Sequence, residues 1–233
     1  MKKKLFRIDK DLYQRALNFQ EFRDRCKQYL VHHNIFRDKF TVTKFDALLG
    51  YLSEYYIANY LRDRFKGAIS VSTWRDQFDI EHIKSIVNSN SNAQEDIDLV
   101  CSYFYDSFDL YISTPTASFF VNLKIDVKTA ITMKEPKPDW EFLYPVVQAN
   151  KGGKDLALLV YYLADNDENP ETLKGFTIVG YLEESEITQC EIIKKGRKTK
   201  HGTKSMTDNY ITYLRDYKNI EELLESKVKA YDR

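Results

Sequence analysis

The chain has 233 residues, of which 43% are hydrophobic and 30% charged, and its formal net charge is zero. This length favours one large domain with a sizeable buried core, and the composition excludes a disordered or fibrous chain. Because a neutral chain has no overall field that attracts nucleic acid or a membrane, any such partner must be attracted by a local patch of charge.

The first part of the sequence predicts three helices and one strand. Apolar side chains recur every three or four residues in the helical segments, which places them on one face of each helix. Thr41 or Thr43 is a suitable cap at the start of the second helix. The predicted elements are a helix over 9–31, a helix over about 44–66, a strand over 68–74 and a short helix over 77–89.

The middle of the sequence predicts a run of strands. The most apolar of them, KDLALLVYYLA, is expected to lie at the centre of a sheet. The segment TPTAS is expected to form the turn of a hairpin. The predicted strands cover 98–104, 108–113, 119–129, 141–149, 154–164 and 176–182.

The last part of the sequence predicts a short helix over 183–190, a loop over 194–209 and a helix over 217–231. Helices, then strands, then helices predict an α/β fold: a mixed β-sheet core that contains an antiparallel hairpin and is flanked by helices. We interpret residues 1–233 as a single domain, with an N-terminal helical extension over 1–40 and a basic loop plus C-terminal helix over 190–233.

The cysteines and the N-terminus indicate a cellular location. Cys26, Cys101 and Cys190 are far apart and form no CxxC pair, so we expect neither a zinc knuckle nor a disulfide framework. Unpaired thiols favour the reducing cytoplasm. The basic start MKKKLFRIDKDL lacks the apolar segment of a signal peptide, and no run of about 18 apolar residues follows, so we expect no transmembrane helix and no membrane partner.

Two aspartates and a lysine are predicted to meet on the polar face of the hairpin. Successive side chains of a strand point to opposite faces, so Asp126 and Lys128 share one face of strand 119–129. If TPTAS closes the hairpin, Asp109 lies across from about Lys124, one or two residue pairs from Asp126. Two carboxylates at this separation repel each other unless a cation lies between them. Oxygen ligands without His or Cys favour Mg²⁺ or Mn²⁺.

Glu54 is the only charged side chain on the apolar stripe of the second helix. Gly50 and Ala58 flank it one turn away and leave room around it. A carboxylate that faces a core must be paired or bind a metal. The alternative interpretation is an ion pair between Glu54 and an arginine of the first helix.

These pieces together resemble the PD-(D/E)xK nuclease superfamily, which includes many type II restriction endonucleases. The resemblance rests on the helix GYLSEYYIANYL, the strand FDLYIS and the segment KIDVKTA, and it spans about 44 to 182. It implies Mg²⁺-dependent hydrolysis of phosphodiester bonds in DNA, most typically double-stranded, that leaves 5′-phosphate and 3′-hydroxyl ends. A restriction enzyme that cuts a palindrome is expected to be a homodimer.

The resemblance also assigns roles to residues of this chain. Asp109 and Asp126 would ligate the metal together with the carbonyl of Val127. Lys128 would orient or polarise the attacking water. Glu54 would bind a second metal or a metal-bound water.

Several points of the match stay open. Phe108 stands where the proline that names the family would be. Asp98 competes with Asp109 as the acid of the hairpin, and the spacing favours Asp109. Some family members carry a functional glutamine after the lysine, and Gln148 is the candidate for it, although we expect it at the end of a strand. The string [DE]xK recurs at three other places, so the pair Asp126 and Lys128 is informative only together with the other acids.

Other functions remain open beside restriction. A phage or DNA-repair nuclease of the same superfamily would carry the same residues. A nucleic-acid-binding module that has lost catalysis is a second alternative, and an α/β domain without a nucleic-acid partner is a third.

The segment KKGRKTKHGTK at 194–204 concentrates positive charge and contains no acidic residue. Such a loop can follow the phosphates of DNA through charge alone. The alternative is a solvated surface loop. The candidate DNA-binding residues are Lys194, Lys195, Arg197, Lys198, Lys200 and Lys204.

Overall fold

The computed structural model describes residues 5–35, 44–114, 122–166, 169–200, 202 and 204–229. The helices in this part are α1 (Lys10–His32), α2 (Lys44–Arg64), α3 (Ile80–Ser89), α4 (Gln94–Phe104), α5 (Val146–Ala149), α6 (Glu184–Ile187) and α7 (Ile220–Lys229). The strands are β1 (Ser70–Thr73), β2 (Leu110–Ser113), β3 (Asn122–Thr132), β4 (Glu141–Pro145), β5 (Leu156–Ala164), β6 (Leu173–Glu183), β7 (Ile192–Ile193) and β8 (Asn209–Tyr213).

Five strands form the main sheet, in the order β1-β2-β3-β5-β6. β2 runs antiparallel to β1 and β3, β3 runs parallel to β5, and β5 runs antiparallel to β6. This confirms the predicted α/β fold with a mixed sheet, an antiparallel β2–β3 pair and flanking helices. β3 lies in the middle of this sheet. The more apolar β5 also has a neighbouring strand on each side, but it lies one strand closer to the edge.

A second, three-stranded antiparallel sheet has the order β4-β8-β7. The sequence pattern did not predict this sheet. β7 has only two residues, and β8 begins at Asn209, where the predicted basic loop was expected to end. The predicted strand 141–149 divides into β4 and the single-turn helix α5.

The three layers of the molecule explain why β5 shows no alternation of polar and apolar residues. Leu158 and Val160 pack with α2 in the main core. On the opposite face, Ala157 packs with Tyr144 and Tyr210 of the small sheet. β5 is therefore buried on both faces, between a layer of helices and the second sheet.

The predicted strand over 98–104 is wrong, because this segment belongs to the helix α4. Its buried side chains recur every three or four residues, and they pack against α1 and α3 in a separate apolar cluster. The first residue of this pattern lies just outside the segment that was interpreted as a strand, so the helical period was hidden. The buried residues of α4 are Ile97, Val100, Tyr103 and Phe104.

The remaining helices and strands lie close to their predicted positions. Thr41, Thr43 and most of the turn TPTAS lie outside the described residues. Within the described part of the chain, no helix combines the length and the apolar character needed to cross a membrane.

The outer edge of β6 is paired at two points. The main chain of Phe6 exchanges two hydrogen bonds with Phe176, at 2.8 and 2.9 Å. Nearer the end of the strand, Lys218 exchanges two with Tyr181, also at 2.8 and 2.9 Å. These contacts cover an edge that another chain could otherwise extend.

Candidate active site

Asp109 immediately precedes β2 and lies against the main chain of β3. Its amide donates a hydrogen bond to the carbonyl of Ile125 at 2.9 Å, and its carboxylate Oδ2 accepts one from the amide of Val127 at 2.5 Å. Asp126 lies between these two residues. The pairing of β2 with β3 thus brings the two predicted aspartates together.

The register of the hairpin differs from the predicted one. Tyr111, and not Asp109, pairs with Lys124. The paired segments are separated by residues 114–121, which is longer than the five-residue turn TPTAS, so the strands align two residues further along. In the observed register, Asp109 lies closer to Asp126 than in the predicted one.

Asp126 is buried, with 3% of its surface exposed, because the second sheet covers the polar face of β3. The Tyr144 hydroxyl on β4 donates to Asp126 Oδ2 at 2.6 Å, and Lys128 Nζ lies 2.7 Å from the same oxygen. Lys154 Nζ contacts the other oxygen, Oδ1. Burial alone would raise the pKa of Asp126, but the two ammonium groups outweigh it and lower the pKa.

The side chain of Lys128 is a protonated ammonium group in this site. Burial lowers the pKa of Lys128, but the nearby charges of Asp126 and Asp109 more than offset this, so the pKa is raised. A lysine in this state donates hydrogen bonds and carries positive charge, and it cannot act as a base at neutral pH.

Lys154 was not predicted as a site residue. It follows a turn in which Gly152 and Gly153 both have positive φ, and no periodic pattern in the sequence marks it. The next residue, Asp155, is tied to β3 twice: its amide donates to the Lys124 carbonyl at 2.8 Å, and its carboxylate accepts from the Lys124 amide at 2.7 Å. This attachment holds the main chain of Lys154 beside the polar face of β3.

Glu54, Asp106 and Asp109 form an acidic cluster beside Asp126. Each offers a carboxylate oxygen, and these oxygens lie within 4.8 Å of one another. Asp106, in the loop between α4 and β2, was not predicted, since a loop aspartate carries no periodic signal. Asp98, the alternative acid, is exposed on α4 and accepts a hydrogen bond from Gln94, so it does not belong to the hairpin.

Burial dominates the electrostatics of the acidic cluster. Burial, together with the charges of Asp126 and Asp106, raises the pKa of Asp109 to about 7, against the opposing charges of Lys128 and Lys154. Burial also raises the pKa of Glu54 well above its ordinary value, against the opposing charge of Arg75. The cluster therefore favours a bound positive charge, either protons or a cation.

Arg75 supplies part of that charge. Its guanidinium contacts the Glu54 carboxylate and lies 3.3 Å from Asp106 Oδ2. It also stacks on the rings of Phe19 and Tyr51, at 4.7 and 4.6 Å from the ring centres. The ion pair anticipated as an alternative for Glu54 is therefore present, but its arginine comes from the 3-10 turn Trp74–Gln77 and not from the first helix.

The donor atoms of the cluster fit a hard cation. They are all oxygens, the type that Mg²⁺ and Mn²⁺ prefer. Among the described residues, the second carboxylate oxygen of Asp109 has no hydrogen-bond partner. Asp126 already accepts from a hydroxyl and two ammonium groups, so a cation that took it as a ligand would be opposed by the positive charges of Lys128 and Lys154. With every group ionised, the site has four negative and three positive charges, those of Glu54, Asp106, Asp109, Asp126, Arg75, Lys128 and Lys154.

The two remaining predicted site residues, Val127 and Gln148, lie outside the acidic cluster. Val127 contributes its amide to Asp109, and its side chain belongs to the main core. Gln148 lies on α5 and not at the end of a strand. Its Oε1 is buried without a hydrogen-bond partner in the described part of the chain, and the side chain forms no hydrogen bond to the acidic cluster.

The six predicted basic residues are all exposed. Lys194 pairs with Asp208 at 2.8 Å, and Lys200 donates to the Tyr213 hydroxyl at 3.2 Å. Lys198 and Lys204 face each other across an isolated β-bridge. We call residues 194–204 the basic turn.

The basic turn is attached close to the site. It connects β7 to β8, and the carbonyl of Asp208, just beyond it, accepts a hydrogen bond from the amide of Val146 at 3.0 Å. Val146 is two residues from Tyr144, which contacts Asp126. The same end of the small sheet therefore carries the basic turn and reaches the buried aspartate.

Fold and site together define an α/β protein with a buried network of carboxylates, lysines and an arginine at the end of an antiparallel strand pair. No family model, curated protein or solved structure matches the chain. The resemblance to the PD-(D/E)xK nucleases therefore rests on the residues themselves.

Proposed function

We propose that this protein is a metal-dependent deoxyribonuclease that hydrolyses phosphodiester bonds of double-stranded DNA to 5′-phosphate and 3′-hydroxyl ends. Mg²⁺ is the proposed cofactor, and Mn²⁺ can replace it. The observation that carries the proposal is the contact of the Asp109 carboxylate with the β3 main chain beside Asp126, with Lys128 on the same face. These are the three residues whose spacing resembles the nuclease motif.

In this proposal the acidic residues bind the metal and Lys128 positions the water. Asp109, Asp106 and Glu54 offer oxygen ligands, and Asp126 joins them when it is released from one ammonium group. The cation, when bound, stabilises negative charge on the transferring phosphoryl group and on the leaving oxygen. Lys128, held as an ammonium, orients the attacking water by donating a hydrogen bond to it.

A cleavage assay tests this proposal. Purified protein is incubated with plasmid, linear duplex and single-stranded DNA in Mg²⁺, in Mn²⁺ and in EDTA. We expect cleavage that requires the metal and ends that DNA ligase can rejoin. The variant Asp126→Asn should lose cleavage by about a hundredfold or more, whereas Asp63→Asn, an exposed change on α2, should retain it. DNA that stays intact with both metals through long incubation would refute the proposal.

Within this class, a type II restriction enzyme is the more specific proposal, with a homodimer that cuts a palindromic site and a cytoplasmic location. It should give discrete fragments from a plasmid. A phage or DNA-repair nuclease of the same superfamily should instead prefer ends, nicks or branches. End-labelled linear, nicked and branched substrates separate these two possibilities.

A nucleic-acid-binding module without catalysis is the second candidate. One observation favours it: two lysines balance the charge of Asp126, and Arg75 balances that of Glu54. Equal DNA binding by the wild type and by Asp126→Ala, with cleavage by neither, would support the module over the nuclease.

A further inference from the structure

Two lysines from separate parts of the chain contact the buried carboxylate of Asp126. Lys128 follows Asp126 on β3, and Lys154 comes from the glycine turn before β5, 28 residues away. Their side chains are 17% and 13% exposed, so both ammonium groups are largely removed from water. Burying a lysine costs free energy unless its ammonium group pairs with an opposite charge.

One ammonium group is enough to neutralise Asp126. The second adds positive charge to this corner of the site. The network as a whole, with every group ionised, has one negative charge in excess. A divalent cation would reverse the sign, and the single negative charge of a phosphodiester group would then bring the sum to zero.

The two lysines are held differently. Lys128 shares Asp126 Oδ2 with the Tyr144 hydroxyl, and its ammonium lies 5.5 Å from the centre of the Tyr144 ring. Among the described residues, only Lys154 contacts Oδ1, and it follows a turn with two glycines in the left-handed region. A divalent cation at Oδ1 would repel the ammonium group of Lys154, whereas the contacts of Lys128 with Oδ2 could stay in place.

We propose that Lys154 is a substrate-binding lysine of the active site: it holds Asp126 in the free protein and moves to a non-bridging oxygen of the scissile phosphate when a divalent cation occupies Asp126. This inference rests on the proposed nuclease function. It gives the two lysines separate tasks, with Lys128 at the attacking water and Lys154 at the phosphate.

Neutralising Lys154 without removing its hydrogen-bond donor tests the inference. Lys154→Gln can still donate to Asp126, and Lys154→Arg restores the charge if the glutamine variant folds poorly. Lys151→Gln is the matched control, because Lys151 lies in the same turn and is exposed. DNA affinity is measured by fluorescence anisotropy with Ca²⁺ and with EDTA, and cleavage with Mg²⁺ is measured as kcat and KM.

The wild type and Lys151→Gln should bind DNA more tightly with Ca²⁺ than with EDTA. Lys154→Gln should lose about tenfold or more of this cation-dependent gain, while its binding in EDTA stays unchanged, and Lys154→Arg should recover part of it. A lysine with only a structural role would not change the difference between the two conditions. If the wild type cleaves DNA and Lys154→Gln matches Lys151→Gln in affinity and in kcat, the inference is wrong and the nuclease proposal stands.

Mn²⁺ binding provides a readout without DNA. Because Lys154 competes with the cation for Asp126 Oδ1, Lys154→Gln should bind Mn²⁺ several-fold more tightly than Lys151→Gln in calorimetry, and this would support the displacement even for a wild type that cleaves no DNA. Equal Mn²⁺ affinity in the two variants would contradict it.

Discussion

At the scale of single residues, the buried Arg75–Glu54 pair is expected to contribute strongly to stability. The two side chains are 11% and 8% exposed, so neither is solvated if the other is removed. We expect Arg75→Met to cost about 3–5 kcal/mol of unfolding free energy, because it leaves an uncompensated buried carboxylate. Denaturation with urea, followed by circular dichroism, measures this cost.

The matched control for Arg75 is Arg64, whose pairs with Glu221 and Glu225 are at the surface. The Arg64 side chain is 48% exposed, and Arg64→Met should cost less than about 1 kcal/mol. The double variant Arg75→Met with Glu54→Gln should recover part of the loss, since it removes both charges. A similar cost for the two arginine variants would show that burial does not set the strength of the inner pair.

The raised pKa of Asp109 makes the effect of a metal depend on pH. Its folded-state pKa is raised from 3.8 to about 7, so the proton stabilises the folded protein fully below about pH 4, and this stability is lost as the pH rises through about 7. The proposed cation would take the place of the proton only where Asp109 is ionised. The increase in Tm on adding Mg²⁺ should therefore be larger at about pH 8 than at about pH 5.5.

Asp109→Asn is the control for the pH dependence. It removes the titrating group, so the Mg²⁺-induced change in Tm should become small and nearly independent of pH. Equal increases in Tm at both pH values for the wild type would mean that Asp109 does not bind the cation.

The sequence predicted those site residues that stand in a periodic pattern. Glu54 interrupts an apolar helix stripe, and Asp126 and Lys128 stand on the polar face of one alternating strand. Asp106 and Lys154 lie in a loop and a turn, where spacing carries no signal. Only tertiary contact brings them to the carboxylates.

At the scale of elements, the same argument separates correct from wrong predictions. The long helices α1 and α2 repeat their apolar spacing over several turns, so they were predicted within a few residues. α4 was interpreted as a strand because its short apolar run fits either period. β8 was missed because five residues beside a basic loop are too few to establish alternation, and its strand character comes from pairing with β4.

The edge of β6 gives a prediction at this scale. Gly180 has φ of +144° and lies at an irregularity of the β5–β6 ladder, where a Cβ atom would overlap the carbonyl oxygen of Lys218. We expect Gly180→Ala to cost about 2 kcal/mol or more, from backbone strain and the lost pairing with the segment before α7. Chemical denaturation measures the change.

Gly50→Ala is the paired substitution for Gly180→Ala. Gly50 lies inside α2, and nothing lies within 4 Å of an added Cβ. Alanine should therefore stabilise the helix by about 0.5–1 kcal/mol. Destabilisation by both alanines would indicate that the cost at Gly180 is not specific to the β6 edge.

At the scale of the whole molecule, charge is balanced overall but not evenly distributed. The chain carries 35 basic and 35 acidic residues, and the basic turn collects six of the former without an acid. For the proposed nuclease, attraction to DNA would come from this turn, together with the proposed cation, and not from the net charge. The turn also lies at the end of the small sheet that supplies Tyr144, so DNA held there would approach the acidic cluster.

The salt dependence of DNA binding tests whether the basic turn contacts the phosphates. Lys198 and Lys204 are exposed and face each other, and changing both to glutamine should reduce the slope of log K against log salt concentration by about 1.8, since each phosphate contact contributes about 0.9. The control changes Lys84 and Lys174, which pair with acidic neighbours at 2.6 and 2.5 Å, and should leave the slope unchanged. Equal slopes for the two double variants would mean that the basic turn does not contact the phosphates, and the attraction of this neutral chain to DNA would have to arise elsewhere.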